Sequence, residues 1–137
     1  IPVGNLPPKK IMETKDGKKV IVHQLTEAFG EGEEGIDVIH VLDNDSNLRA
    51  EIFYLENTFG DSFSIYTEVV LVDDTLIYLH EQADKIENFH YDDEGKPAGN
   101  NITEVSHYFY QIGNNGQVSK IDETAELIHR VSRSIYK

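Results

Sequence analysis

Residues 62 to 82, SFSIYTEVVLVDDTLIYLHEQ, constrain the fold most, because a strand drawn from Ser62 to Val72 is apolar on both faces in its second half. Phe63, Ile65, Thr67, Val69 and Leu71 alternate onto one side, while Tyr66, Val70 and Val72 share the other with Ser62, Ser64 and Glu68. Such a strand belongs inside a sheet with cover over part of each face. Asp73-Asp74 interrupts the run and predicts a short hairpin loop, although it lacks the glycine that tight hairpin turns favour. A helical reading competes from Asp74 onward, with Asp74 as cap and Leu76, Leu79, Ala83, Ile86 and His90 on one stripe. Thr75, Ile77 and Tyr78 favour extended backbone, and Tyr78 falls outside the stripe, so the segment reads as a strand.

The flanking segments add layers to this centre. Ile11 to Thr14 and Lys18 to Leu25 surround the turn Lys15-Asp16-Gly17, and Ile36 to Leu42 and Leu48 to Asn57 surround Asp43-Asn44-Asp45-Ser46-Asn47. Between these pairs, residues 26 to 35 (TEAFGEGEEG) read as a mobile acidic flap. Lys85 to Tyr91 runs into a turn-rich stretch that opens with Asp92-Asp93-Glu94-Gly95-Lys96 and continues through Pro97 to Asn101, and Thr103 to Ile112 and Gln117 to Ile121 close around Gly113-Asn114-Asn115-Gly116. The period then changes: Leu127, Ile128, Val131 and Ile135 form a helical stripe over residues 123 to 136, with Asp122 as the expected N-cap. Acids early and Arg130, Arg133 and Lys137 late suit the helix dipole.

The fold class expected is therefore α+β: an antiparallel meander of about seven to nine strands in a curved sheet, with a C-terminal helix packed on it. A chain of 137 residues suits one domain, assigned to residues 11–137. Residues 1–10, IPVGNLPPKK, read as a Pro-rich linker or a trimmed N-terminal segment. An export signal, a membrane anchor or an arbitrary boundary upstream are the alternatives, of which only the first two place the chain outside the cytoplasm, the location towards which the reading leans. No apolar run is long enough to insert in a membrane.

Charge narrows the partners. Residues 20 to 119 hold twenty acidic side chains and only Arg49, Lys85 and Lys96 as basic ones, a net of −17. A surface this negative repels nucleic acid and anionic lipid and attracts basic proteins. There is no cysteine, so disulfides and thiolate chemistry are excluded.

Catalytic and metal patterns are incomplete. Asp43, Asp45 and Asn47 resemble the start of a calcium loop, but Leu48 stands where glycine is needed and Tyr54 where the bidentate glutamate belongs. His80-Glu81 begins a zinc-protease pattern whose second histidine is replaced by Asp84. No serine elbow and no phosphate loop occurs. No metal, no cofactor and no catalytic residue is assigned.

The function expected is a small acidic protein-binding domain, of the inhibitor or immunity type, that neutralises a basic partner such as a toxin or nuclease. Its binding surface would gather Glu31, Glu33 and Glu34 of the flap, Asp43 and Asp45, and Asp92, Asp93 and Glu94, with Tyr108 and Tyr110 as aromatic contacts. The alternative is a tethered extracytoplasmic domain that holds a small ligand or cell-wall fragment in the concavity of its sheet.

Overall fold

The computed structural model describes residues 7–26, 35–60 and 62–135. The flap acids Glu31, Glu33 and Glu34 lie outside the described residues. The strands are β1 (Pro8–Glu13), β2 (Lys19–Thr26), β3 (Ile36–Leu42), β4 (Leu48–Leu55), β5 (Thr58–Phe59), β6 (Phe63–Val72), β7 (Leu76–Tyr91), β8 (Pro97–Ile112) and β9 (Val118–Ile121), followed by the helix α1 (Ala125–Ile135). This is an α+β fold, an antiparallel meander with a C-terminal helix. The meander is divided into a first sheet, β1-β2-β3-β4, and a second, β5-β6-β7-β8-β9, counting the two-residue β5.

The two apolar faces of the central segment are used separately. Val69, Ile77, Leu79 and Ile112 pack against Val20, Val22, Ile39 and Val41 of the first sheet. On the opposite face Val72, Leu76, Tyr78 and Phe109 pack against Leu127 and Val131 of α1. The second sheet is thus a middle layer, which is why its strands lack a polar side where they cross the core.

Four hairpins close by one local pattern. In residues 14–18, 43–47, 92–96 and 113–117, the first N–H donates to the fifth carbonyl and the fourth N–H to the first carbonyl. The fourth residue is left-handed each time, with φ of 92° at Gly17, 66° at Ser46, 78° at Gly95 and 87° at Gly116. This is the three-residue loop built on a type I turn, and glycine suits its fourth position because a Cβ there is strained. The β6–β7 turn differs: Asp73 and Asp74 both have positive φ, 54° and 63°. Aspartate tolerates this region better than most residues, and both side chains are held. Arg130 donates to Asp73 at 2.8 Å and to the Thr75 hydroxyl at 2.9 Å, and the Lys15 N–H donates to Asp74 at 3.1 Å.

Several boundaries move relative to the sequence reading: β4 ends at Leu55 rather than Asn57, and β8 begins at Pro97 rather than Thr103, so residues 97–101, expected as turn, belong to a strand that pairs with β7. β1 begins at Pro8, so residues 8–10 of the expected linker are strand. A proline is accepted at the start of an edge strand, and Lys9 and Lys10 are anchored by Asp37 at 2.8 Å and the Val69 carbonyl at 2.6 Å. At the helix, Thr124 replaces Asp122 as N-cap, its hydroxyl accepting from the Leu127 N–H at 3.2 Å.

Candidate functional site

The described acids singled out from sequence do not form one patch. The β1–β2, β3–β4, β6–β7 and β8–β9 turns lie at one end of the fold: Asn44 bonds the Asp16 carbonyl, Lys15 meets Asp74, and Gly116 lies against Arg49 and Asp43. Asp43 and Asp45 belong to that end. Asp92, Asp93 and Glu94 sit at the far tip of the β7–β8 hairpin, whose strands are 16 residues each, roughly 50 Å along the strand direction at about 3.3 Å per residue. Turns alternate ends along a meander, and the length of β7 and β8 carries this one well away.

Two of these carboxylates are also spent on their own turns. Asp43 accepts from the Asp45 N–H at 3.0 Å, the Asn47 N–H at 2.9 Å and Arg49 at 2.8 Å. The Asn47 N–H, with the other donors, holds its carboxyl below the usual range. Asp92 accepts from the Glu94 and Lys96 N–H groups, both at 2.9 Å. Asp45, Asp93 and Glu94 remain exposed. Among the described residues no group of three or more His, Asp or Glu is placed to hold a metal ion.

Tyr108 and Tyr110 do not stand free on the surface. Both are half-buried against the inter-sheet core, because even-numbered residues of β8 face the first sheet. They line a crevice of about 220 Å³ with Ile52, Tyr54, Leu79 and Glu81. The Lys120 ammonium lies 5.2 Å from the Tyr108 ring centre, and burial raises the Tyr110 hydroxyl above its ordinary pKa.

Two features escape the sequence reading. One is a cleft of about 410 Å³ between α1 and the second sheet, with Tyr78, His80, His107 and Glu68 on the sheet side and Ile128 and Val131 on the helix side. Strand register aligns Glu68, His80 and His107 across β6, β7 and β8. The Tyr78 hydroxyl contacts His107 Nδ1 at 2.6 Å and His80 Nδ1 at 3.2 Å. With one proton to donate, the hydroxyl can donate to one imidazole and accept from the other.

The other feature is the outer half of the β7–β8 hairpin. β6 leaves β7 at the Phe63–Lys85 pair, so residues 86–101 form a two-stranded ribbon with no third strand among the described residues. None of its residues is buried. Phe89 and Tyr91 pack edge to face at 5.2 Å, and residues 84 to 104 carry six acids against Lys85 and Lys96. Alternation in this segment gives no sign that its neighbours stop, so only pairing reveals the ribbon. Comparison with known proteins finds no matching family model, no matching curated protein and no matching solved structure.

Proposed function

We propose that this chain is a protein-binding domain, rather than an enzyme, that captures a basic partner through the acidic β7–β8 arm. The observation that carries the reading is the ribbon itself. A two-stranded hairpin gains little stability by its own burial, so the core gives no reason for 16-residue strands that end in an acidic tip. Neutralisation of a basic toxin or nuclease, as an immunity-type inhibitor does, is the form of binding that best suits this charge and shape.

The reading is tested by reversing exposed arm charges only, with Glu87, Asp93, Glu94 and Glu104 changed to lysine and the turn-forming Asp92 left in place. Association with the basic partner recovered by affinity capture should slow by roughly 10 to 10³-fold at low salt and lose its salt dependence. The melting temperature should change little, because the two ion pairs that are lost, Lys85–Glu104 and Lys96–Glu94, are exposed on both sides. An on-rate indifferent to both salt and the reversals would leave the charge with solubility alone and end this reading.

The cleft favours a second reading, a small-ligand site between α1 and the second sheet. Its apolar side chains Val70, Ile128 and Val131 beside the imidazoles of His80 and His107 are the usual make-up of a small-molecule pocket. Screening a fragment library by NMR should find binders that shift the ring protons of His80 and His107 together. If none moves them, the cleft is packing space.

A further inference from the structure

The geometry points to the open edge of β8, from Asn101 to His107, as a strand-addition site for an extended cationic segment of the partner. This rests on the basic-partner reading and assigns it a docking element. The direction of the backbone groups follows from two hydrogen bonds. The Ile112 N–H donates to the Thr75 carbonyl on the β7 side, and the Gly113 N–H donates to the Gln117 carbonyl on the β9 side, both at 2.8 Å. Even-numbered residues of β8 therefore bond β7, and odd-numbered residues face the other way. β9 covers that side only as far as the Phe109–Ile121 pair. Beyond it His107, Val105, Thr103 and Asn101 turn N–H and C=O outward, with no described strand opposite them.

This edge lacks the usual defences against pairing. β1 carries Lys9, Lys10 and Glu13, β4 carries Arg49 and Glu51, and β5 has two residues. The free stretch of β7 is broken by a bulge between Glu87 and His90, where Asn88 has φ of 54°. β8 from Pro97 to Ile112 has a single charged residue, Glu104, and its exposed Val105 is 49% accessible. Main-chain bonding would supply affinity here, and alternate side chains would supply specificity.

Charge complementarity selects the occupant. An added strand would run beside Thr103, bonded to Asp84 at 2.6 Å, and beside Glu104, with Glu87 and the tip acids further along the arm. Lys85 is already paired with Glu104 at 3.1 Å. Alternating lysine or arginine with a β-branched residue to cover Val105 matches this surface. A second copy of this chain would instead set two bodies of net charge −13 against each other.

The probe is an acetylated, amidated lysine–valine octapeptide of alternating sequence, titrated into the intact chain and followed by amide hydrogen exchange. Thr103, Val105 and His107 should slow by about tenfold or more on saturation, while Glu104 and Ser106, bonded to β7 already, should change little. Val105→Pro removes one outward N–H without touching the β7 ladder, a position at which proline is tolerated, and it should abolish binding with the melting temperature nearly kept. The same peptide N-methylated at every second residue should fail on the unaltered protein, which keeps the test independent of that variant. Equal binding to Val105→Pro, or by the N-methylated peptide, overturns the edge site while leaving the basic-partner reading intact. Equal binding by a threonine–valine octapeptide at high salt overturns the cationic occupant. A peptide-free dimer in sedimentation with these same amides protected assigns the edge to a second copy and overturns the proposal.

Discussion

Val131→Asp is expected to abolish the cooperative thermal transition or lower it until the domain is unfolded at physiological temperature. Val131 is 7% exposed and sits with Leu127 over Val72, Leu76, Tyr78 and Phe109. Burying a valine contributes about 1.5–3 kcal/mol. An unpaired carboxylate in its place costs several kcal/mol more, or forces the helix off the sheet. Against a total stability of about 5–15 kcal/mol for a domain of this kind, that is decisive. Ser132→Asp, one position along and exposed, separates packing from helix propensity. Circular dichroism melts should show the first variant unfolded and the second close to the parent. An unaltered melt for Val131→Asp would mean that α1 is not bound to the core.

Lys9→Met should produce the next largest loss, and one that depends on pH. Asp37 is buried to 2% of its side chain. It accepts from Lys9 at 2.8 Å and from the Tyr54 hydroxyl at 3.5 Å, and Lys9 also reaches Glu56 at 2.9 Å. The methionine fills the lysine's space and leaves the carboxylate almost alone. A cost of about 1–3 kcal/mol at neutral pH is expected, below the 3–5 kcal/mol or so of a fully buried pair, because Lys9 keeps a third of its side chain in water.

Burial pushes the Asp37 carboxyl above its ordinary value of 3.8, and Lys9 pulls against that rise. Without Lys9 it rises further. The folded state then holds a proton that the unfolded chain has released, over a window opening at about pH 3.8, so stability falls as pH rises through that window. The deficit of Lys9→Met should therefore shrink on acidification and grow towards neutrality, as urea midpoints across the range would show. A deficit that stays constant would mean that the lysine acts through its alkyl stem.

For the parent, burial lowers the Lys9 ammonium, but its bonds to Asp37 and Glu56 outweigh this and leave it above 10.5. Its contribution persists up to that pH and is lost as pH rises through the folded value.

The sequence alone determined what closes over short range. Asp16-Gly17, Glu94-Gly95 and Asn115-Gly116 mark loops whose hydrogen bonds are complete within five residues, so their composition reports their geometry directly. Ile36 to Leu42 is a strand with the boundaries expected from the loop residues that flank it. The change of period after Asp122 announces α1, and the acidity of residues 20 to 119 belongs to composition.

Tertiary pairing decided the rest. Whether Asp43 and Asp92 share a surface depends on how far β7 and β8 run, and no residue near Asp92 encodes that distance. Whether Tyr108 faces a partner or the first sheet depends on which side of β8 that sheet covers. His80 and His107 meet because the β7–β8 register sets them opposite across 27 positions of chain. Alternation along a strand tells two faces apart but does not say what lies over either. That depends on long-range contacts, and here they place the first sheet on one face of the middle layer, a helix on the other, and the arm and the β8 edge beyond both.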